Sequence, residues 1–174
     1  MADKKIKVTA KGLQDLQERL DFLQNVRRAE VAEKLKEARS QGDLSENEEY
    51  DAAKDAQSEL EAEILEVRKK IELAEVVTDE DLSNDEVGIG SYVTLKDHEF
   101  DEELHLQIVS SIEADPNKKM ISDDSPIGAA ALRKKVGDVF DVEVPDGLIR
   151  MEVLSISKTN PYPDEIGGDD GSAE

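Results

Sequence analysis

Apolar residues recur at helical spacing along the N-terminal half of the chain. Between residues 13 and 38 they step by three or four positions, except for a gap of eight between Leu23 and Val31. The stepping predicts an amphipathic helix. The gap indicates a stutter in its heptad repeat, with Arg27 at the seam position.

A second stripe matches the first. Between residues 50 and 74 the seam positions alternate steps of three and four, and only Gln57 among them is polar. In an antiparallel helix pair the numbers of facing positions have a nearly constant sum. Facing pairs such as Leu23 and Ile64 give sums of 87 or 88 along both stripes. We therefore predict an antiparallel coiled-coil hairpin that turns near residues 43–44, with arms roughly 45 Å long.

The predicted turn is strongly acidic. Residues 42–51 read GDLSENEEYD, which contains five acids and no Lys or Arg. Gly42 is a typical helix stop, and Ser45 and Glu48 have the spacing of a capping box for the second helix. Acids in the first turn of a helix are favoured by about 0.3–1 kcal/mol each, so capping alone is one interpretation of this stretch.

Asp43 and Glu46 suggest a functional alternative. Two carboxylates three residues apart can share a Mg²⁺ ion, which keeps several waters and completes its shell with another molecule's oxygens. Such a site would be half of a metal site. Nearby, Tyr50 occupies a seam position typical of packing, whereas Lys54 can pair with a neighbouring acid or reach a phosphate. The residues alone leave these alternatives open.

The second half of the chain has the pattern of a sheet. Residues 78–90 predict a linker rich in acids, Ser, Asn and Gly. Alternating and β-branched runs predict four strands, over residues 91–96, 104–112, 138–144 and 148–157. Asp146–Gly147 is a hairpin signal, and residues 125–135 predict one short helix with Ser125 as its N-cap. The fold class is therefore α+β, with the helical hairpin followed by an antiparallel sheet and a short helix.

Composition excludes several classes of protein. The absence of Cys rules out disulfides and thiolate metal sites, and the net charge of −21 argues against a general nucleic-acid binder. No apolar run is long enough for a signal peptide or a membrane span, so we expect a cytoplasmic protein. His98 and His105 lack a metal-binding spacing. Residues 160–174 carry five acids and no basic residue, which predicts a disordered tail.

Three segments resemble the GreA/GreB family of bacterial transcript-cleavage factors. Residues 38–57, ARSQGDLSENEEYDAAKDAQ, resemble the tip signature of that family, and residues 20–39 resemble its first hairpin arm. Residues 125–147 resemble its C-terminal domain, which implies a fold like that of FK506-binding proteins. The resemblance covers about residues 5–158. It divides the chain into a coiled-coil hairpin, a globular domain and an acidic tail, over residues 1–78, 79–159 and 160–174.

The resemblance implies a partner and a mechanism. The hairpin would enter the secondary channel of RNA polymerase, and its tip would reach the catalytic centre when a backtracked nascent RNA 3′ end occupies it. Asp43 and Glu46 match the two essential tip acids of the family, which help to hold a second Mg²⁺ and position the attacking water. The polymerase supplies the first Mg²⁺. The chain would therefore be no enzyme by itself, but a stimulator of the polymerase's own cleavage.

Other motif positions imply supporting roles. Tyr50 and Lys54 match tip positions that orient the RNA or elements of the polymerase. Four further positions match the turn and are assigned shaping roles: Gly42, Leu44, Ser45 and Asn47. GreB-type factors carry a larger basic patch on the hairpin, so the net charge of −5 over residues 1–78 favours a GreA-type member. Pairing of the arms within one chain predicts a monomer.

Three alternatives compete with cleavage stimulation. A homologue that occupies the channel and inhibits the polymerase would carry an altered acidic tip. A prolyl isomerase would need an aromatic-lined pocket, for which this domain offers Tyr92, Phe100 and Phe140 but no Trp. A structural coiled-coil adaptor would use Asp43 and Glu46 only as helix caps.

Overall fold

The computed structural model describes residues 4–40 and 48–167, which form two compact units. Within the described residues, one unit comprises Lys4 and residues 11–74, and the other comprises residues 5–10 and 75–167. The elements are β1 (Ile6–Val8), α1 (Ala10–Phe22), a π-helical turn (Leu23–Arg27), α2 (Arg28–Ser40), α3 (Glu48–Leu73), β2 (Ala74–Val76), β3 (Tyr92–Asp97), β4 (Glu102–Val109), a 3₁₀ turn (Pro116–Lys118), β5 (Met120–Ser122), α4 (Pro126–Ala131), β6 (Val139–Val144) and β7 (Gly147–Ser157).

The first unit is the predicted helical hairpin. One arm runs through α1, the π-helical turn and α2, and the other is α3, a helix of 26 residues. Apolar residues from both arms form a continuous core, as the matched stripes predict. Its buried members are Leu23, Val31, Leu35, Ala53, Leu60, Ile64 and Val67. Leucines nearer the start of the first arm, Leu16 and Leu20, pack against it and are half-buried.

The eight-residue gap in the first stripe has a specific structural cause. Leu23–Arg27 form a π-helical turn, which is closed by the bond from the Arg28 N–H to the Leu23 carbonyl. A π-turn contains one residue more than an α-turn, so Leu23 and Val31 both stay in the core although eight residues separate them. The predicted stutter is thus a single inserted residue, and Arg27 is not among the buried core residues. The predicted seam also ends earlier, because Ala74 belongs to β2.

The second unit contains a five-stranded sheet in the order β5-β4-β3-β7-β6. The four predicted strands are present and pair antiparallel, with β6 and β7 joined at the predicted Asp146–Gly147 hairpin. The additional strand β5 pairs parallel to β4, so the sheet is mixed. Its core includes Val93, Leu95, Leu106, Ile108, Ala131, Val142 and Val153.

Helix α4 is shorter than predicted. Its N-terminus agrees with the sequence, since the Ser125 hydroxyl accepts a hydrogen bond from the Gly128 N–H at 3.1 Å. It ends at residue 131 because the following chain pairs elsewhere: Arg133 adopts a φ of 68° and donates its N–H to the Val87 carbonyl. Val87 is 1% exposed and belongs to the sheet core, although the sequence places it in a linker.

Two further features differ from the sequence-based picture. Strands β1 and β2 form a small separate sheet that no pattern predicts. In the segment predicted as a tail, residues 160–167 form bends and turns, and Ile166 is 2% exposed. Among the described residues, no helix is both long enough and apolar enough to span a membrane.

Candidate functional site on the helical hairpin

The candidate site is the end of the hairpin where its two arms are joined. Helix α2 ends at Ser40 and α3 begins at Glu48, so the connection has the position that the register sum predicts. Six predicted site residues lie outside the described residues: Gly42, Asp43, Leu44, Ser45, Glu46 and Asn47. Tyr50 and Lys54 are described, together with the final turn of α2 and the first turn of α3.

Carboxylates crowd the start of α3. Glu48, Glu49 and Asp51 all lie in its first turn, and all three are exposed to solvent. The partial positive charge of the helix N-terminus favours them there. Together with Asp43 and Glu46 from the sequence, they give the end of the hairpin five carboxylates and no basic residue between 42 and 51. The described part of this stretch is therefore open to a cationic ligand.

Tyr50 supports the end of the hairpin from inside. Its ring packs against the hairpin core, and the Arg39 guanidinium of the opposite arm lies 5.9 Å from the ring centroid. Ala38 and Ala53, in the neighbouring turns of the two arms, are also buried. The two arms thus stay paired up to their last turns, which supports the packing interpretation of Tyr50. Its role toward RNA or polymerase stays a prediction.

Lys54 forms a hydrogen bond within its own helix. It is exposed, and its Nζ donates a hydrogen bond to Gln57 Oε1 at 3.2 Å. Gln57 is the polar position in the second stripe, so its side chain serves as a partner for this lysine. A phosphate contact by Lys54 stays a prediction.

Two ion pairs between the arms were not predicted from the sequence. Arg19 Nη2 lies 2.6 Å from Glu63 Oε1, and Arg28 forms two parallel hydrogen bonds with Glu61. These bonds hold the pKa of Glu61 below its ordinary value and raise the pKa of Arg28. The numbers of Arg28 and Glu61 sum to 89, close to the 87 or 88 of facing seam positions, so the register places the second pair beside the seam. The sequence signal of an ion pair between the arms is a pair of oppositely charged residues that flank the seam.

The donor chemistry of the hairpin end suits a hard divalent cation. Carboxylate oxygens are the ligands that Mg²⁺ prefers, and it binds through only one or two of them. Within residues 4–40 and 48–167, no group of three His, Asp or Glu side chains is arranged to hold a metal ion. The two histidines lie beside carboxylates instead, His98 near Glu152 and His105 near Glu165.

The aromatic residues of the sheet domain occupy different environments. Phe140 is 8% exposed and belongs to the sheet core, whereas Phe100 is 66% exposed in the turn between β3 and β4. Burial raises the pKa of Tyr92, the third member of the set. These different environments give no support to the prolyl isomerase alternative.

Comparisons with known proteins cover both units. Residues 6–76 match the family model described as transcription elongation factor, N-terminal, and residues 82–158 match the C-terminal model of GreA/GreB transcription elongation factors. The transcription elongation factor GreA of Thermoanaerobacter pseudethanolicus is 49% identical over 155 residues, which are 89% of this chain and 99% of that protein. The chain belongs to the GreA/GreB family.

A second GreA sequence agrees with this assignment. GreA of Alkaliphilus oremlandii is 45% identical over 158 residues, covering 91% of this chain and 99% of that protein. Among solved structures, GreA factor homolog 1 of Thermus thermophilus is 30% identical, with a TM-score of 0.41 and coverage of 88% and 99%. The predicted family is confirmed, as is its consequence that a GreA/GreB factor acts on transcription elongation rather than as an enzyme by itself.

Proposed function

We propose that this chain inserts its hairpin into the secondary channel of bacterial RNA polymerase and stimulates cleavage of backtracked RNA there. It acts as a monomer in the cytoplasm. Family membership supports the polymerase as partner. The order of the tip sequence, GDLSEN, supports cleavage over inhibition, because the acids stand at the positions that the cleavage factors use.

Asp43 and Glu46 are the residues that carry this function. Their carboxylates bind and orient one Mg²⁺ together with the polymerase active site, close to the nascent RNA 3′ end. When bound, the metal stabilises the attacking and leaving oxygens of phosphodiester hydrolysis. Two carboxylates form an incomplete site, so the chain alone holds the ion weakly and cleaves nothing. Gly42, Leu44, Ser45 and Asn47 shape the turn that presents the acids.

The observation that carries the proposal is the exposed acidic turn at the start of α3. Glu48, Glu49 and Asp51 stand in solvent where the paired arms end. Behind them, Tyr50 and Arg39 connect the two arms. Because the two arms of the hairpin stay paired up to its acidic end, the hairpin is suited to placing carboxylates at a fixed point in a narrow channel.

The test uses stalled, backtracked elongation complexes with labelled RNA and Mg²⁺. We expect the wild-type chain to shorten the RNA, and the double variant Asp43→Asn/Glu46→Gln to lose this activity while still competing with wild type for the polymerase. The matched control is Asp55→Asn/Glu59→Gln, which removes the same charge from exposed positions along α3. It should cleave like wild type.

The remaining outcomes separate the alternatives. Slower elongation without RNA shortening would identify an inhibitor of the channel. If the RNA and the elongation rate are both unchanged, the adaptor alternative is supported, in which Asp43 and Glu46 serve only as helix caps. Equal loss of cleavage in both double variants would assign the effect to general charge rather than to the turn.

A further inference from the structure

The segment that follows the last strand is a braced turn. We name residues 160–167 the C-terminal strap. Asn160 holds the strap at both ends, because its Oδ1 accepts from the Tyr162 N–H and its Nδ2 donates to the Ile166 carbonyl, each at 2.9 Å. The Ile166 N–H in turn donates to the Tyr162 carbonyl at 2.9 Å. The strap therefore has a defined shape of its own.

One side chain of the sheet contacts two residues of the strap. The rings of His105 and Tyr162 stack with centroids 3.7 Å apart and planes 7° from parallel. His105 Nδ1 also lies 2.8 Å from Glu165 Oε2. Because a carboxylate only accepts hydrogen bonds, Nδ1 carries the hydrogen. The same imidazole thus recognises an aromatic ring with its face and a carboxylate with its edge.

Further contacts place the strap along one side of β4. The Gly167 N–H donates to the Lys118 carbonyl at 2.8 Å, just before β5, and Ile166 is almost fully buried. Side chains alternate between the faces of a strand. Leu106 belongs to the sheet core, so His105 lies on the opposite face of β4, which we name the outer face.

The strap lies beyond the part of the chain that matches the family. The C-terminal family model ends at residue 158. The alignment with the Thermoanaerobacter relative covers 99% of that protein with 155 residues of this chain, which has 174. The strap therefore follows the residues that the C-terminal family model covers.

We propose that the outer face of β4 around His105 is a peptide-binding site whose occupant is this chain's own segment 160–167. The ligand class is a short acidic peptide with an aromatic residue, a carboxylate three positions later and an aliphatic residue next to it. Tyr162, Glu165 and Ile166 supply these groups. Only residues 158 and 159 separate the strap from β7, so its effective concentration at the site is on the order of millimolar, and modest intrinsic affinity keeps it bound.

The test asks whether the site takes the same peptide from a separate molecule. The full-length variant Tyr162→Ala/Ile166→Ala loses its own ligand but keeps the site. A fluorescently labelled peptide of residues 158–167 should bind this variant with a Kd below about 1 mM, because a weaker site would not hold the strap in the intact chain. The wild-type chain, whose site is filled, should bind the peptide several-fold more weakly.

The role of His105 is tested in the same background. Adding His105→Ala should weaken binding roughly tenfold or more, since both the ring stack and a hydrogen bond to a charged group are lost. His105→Phe is the matched control, which keeps the stack and should bind with intermediate affinity. Failure of the peptide to bind the Tyr162→Ala/Ile166→Ala chain, or binding that His105→Ala leaves unchanged, overturns the proposal.

Hydrogen exchange of the wild-type chain is a second measurement. It requires no substitution, so a folding defect of a variant cannot affect it. The amides of Ile166 and Gly167 donate hydrogen bonds in the closed strap and should be protected from exchange. Tyr162→Phe preserves the stack and should preserve this protection, whereas Glu165→Gln should reduce it. Exchange of both amides at unprotected rates in the wild type means an open strap and overturns the proposal.

Discussion

Arg28 reaches across the hairpin to Glu61, with its Nε 2.9 Å from Oε1 and its Nη2 2.8 Å from Oε2. The backbone N–H of the same arginine closes the π-helical turn at the Leu23 carbonyl. One residue therefore closes the irregular turn in the first arm and connects that arm to the second. Two parallel bonds of this kind fix orientation as well as distance, which a lysine would not do.

This pair predicts a pH dependence of hairpin stability. Arg28 holds the pKa of Glu61 below its ordinary value of 4.5. A carboxyl group with a lowered pKa in the folded state stabilises that state above the ordinary value, and the contribution is lost as the pH falls below it. Thermal unfolding followed by helix ellipticity should therefore show a smaller loss of Tm between pH 6 and pH 3 for Glu61→Gln than for wild type.

The control for this prediction is Glu59→Gln, which removes an exposed carboxyl group from the same helix. This variant should lose as much Tm on acidification as wild type does. An identical loss of Tm in all three chains would mean that the Arg28–Glu61 pair contributes nothing to the acid sensitivity of the hairpin.

The π-helical turn predicts an unusual tolerance to deletion. Asn25 is the exposed central residue of the turn. Its removal shortens the gap between Leu23 and Val31 from eight residues to seven, which an ordinary α-helix spans with both residues on one face. The deletion should therefore leave the hairpin folded, with a Tm within a few degrees of wild type. Circular dichroism of the full-length variant measures this.

Deletion of Glu59 is the matched control, since this residue is also exposed but lies in a regular part of α3. It rotates Ala53 by about 100° relative to Leu60 and takes part of the seam out of the core. Its Tm should fall far more than that of the Asn25 deletion. Equal losses of Tm would show that the π-turn is not a tolerated insertion.

How far the sequence predicts the structure depends on the length of each pattern. The register predicts the hairpin because eight facing pairs all have residue numbers that sum to 87 or 88. The gap of eight residues after Leu23 indicates an irregularity, and the structure has the π-helical turn there. Strands β1, β2 and β5 have three residues each, too few for an alternating pattern to be recognised. The strap was missed because its order depends on His105, 57 residues before Tyr162 in the chain.

The end of the hairpin was predictable in location, but the contacts that support it were not. The acidic run and the register place the end of the hairpin between Ser40 and Glu48, where the structure has it. The contact between Arg39 and Tyr50 depends on how the two helices are rotated about their axes relative to each other. The spacing of apolar residues in the sequence specifies this rotation only coarsely. The shortened helix α4 has a similar origin, because pairing of Arg133 with Val87 overrides a local helical preference.

The hairpin core predicts very different effects for two neighbouring residues. Ile64 is 1% exposed and belongs to the core, whereas Leu65 is 65% exposed. Ile64→Ala should destabilise the hairpin by about 2–5 kcal/mol, through lost burial and the cavity left behind. Leu65→Ala should stay within about 0.5 kcal/mol of wild type. Urea unfolding followed by helix ellipticity compares the two, and similar midpoints would contradict the assigned core.

Gly128 is the position in the sheet domain where a single methyl group should be least tolerated. A Cβ at this residue would lie 1.9 Å from the Ser122 carbonyl oxygen, and backbone at the end of β5 cannot move away without losing its pairing with β4. Gly128→Ala should therefore cost about 1–3 kcal/mol in the free energy of unfolding. At Gly88 the nearest atom to a new Cβ is the Asp81 carbonyl oxygen at 3.5 Å, an ordinary contact. Gly88→Ala is the matched control and should leave the denaturation midpoint almost unchanged, so a drop of equal size in both variants would refute the close packing of α4 on β5.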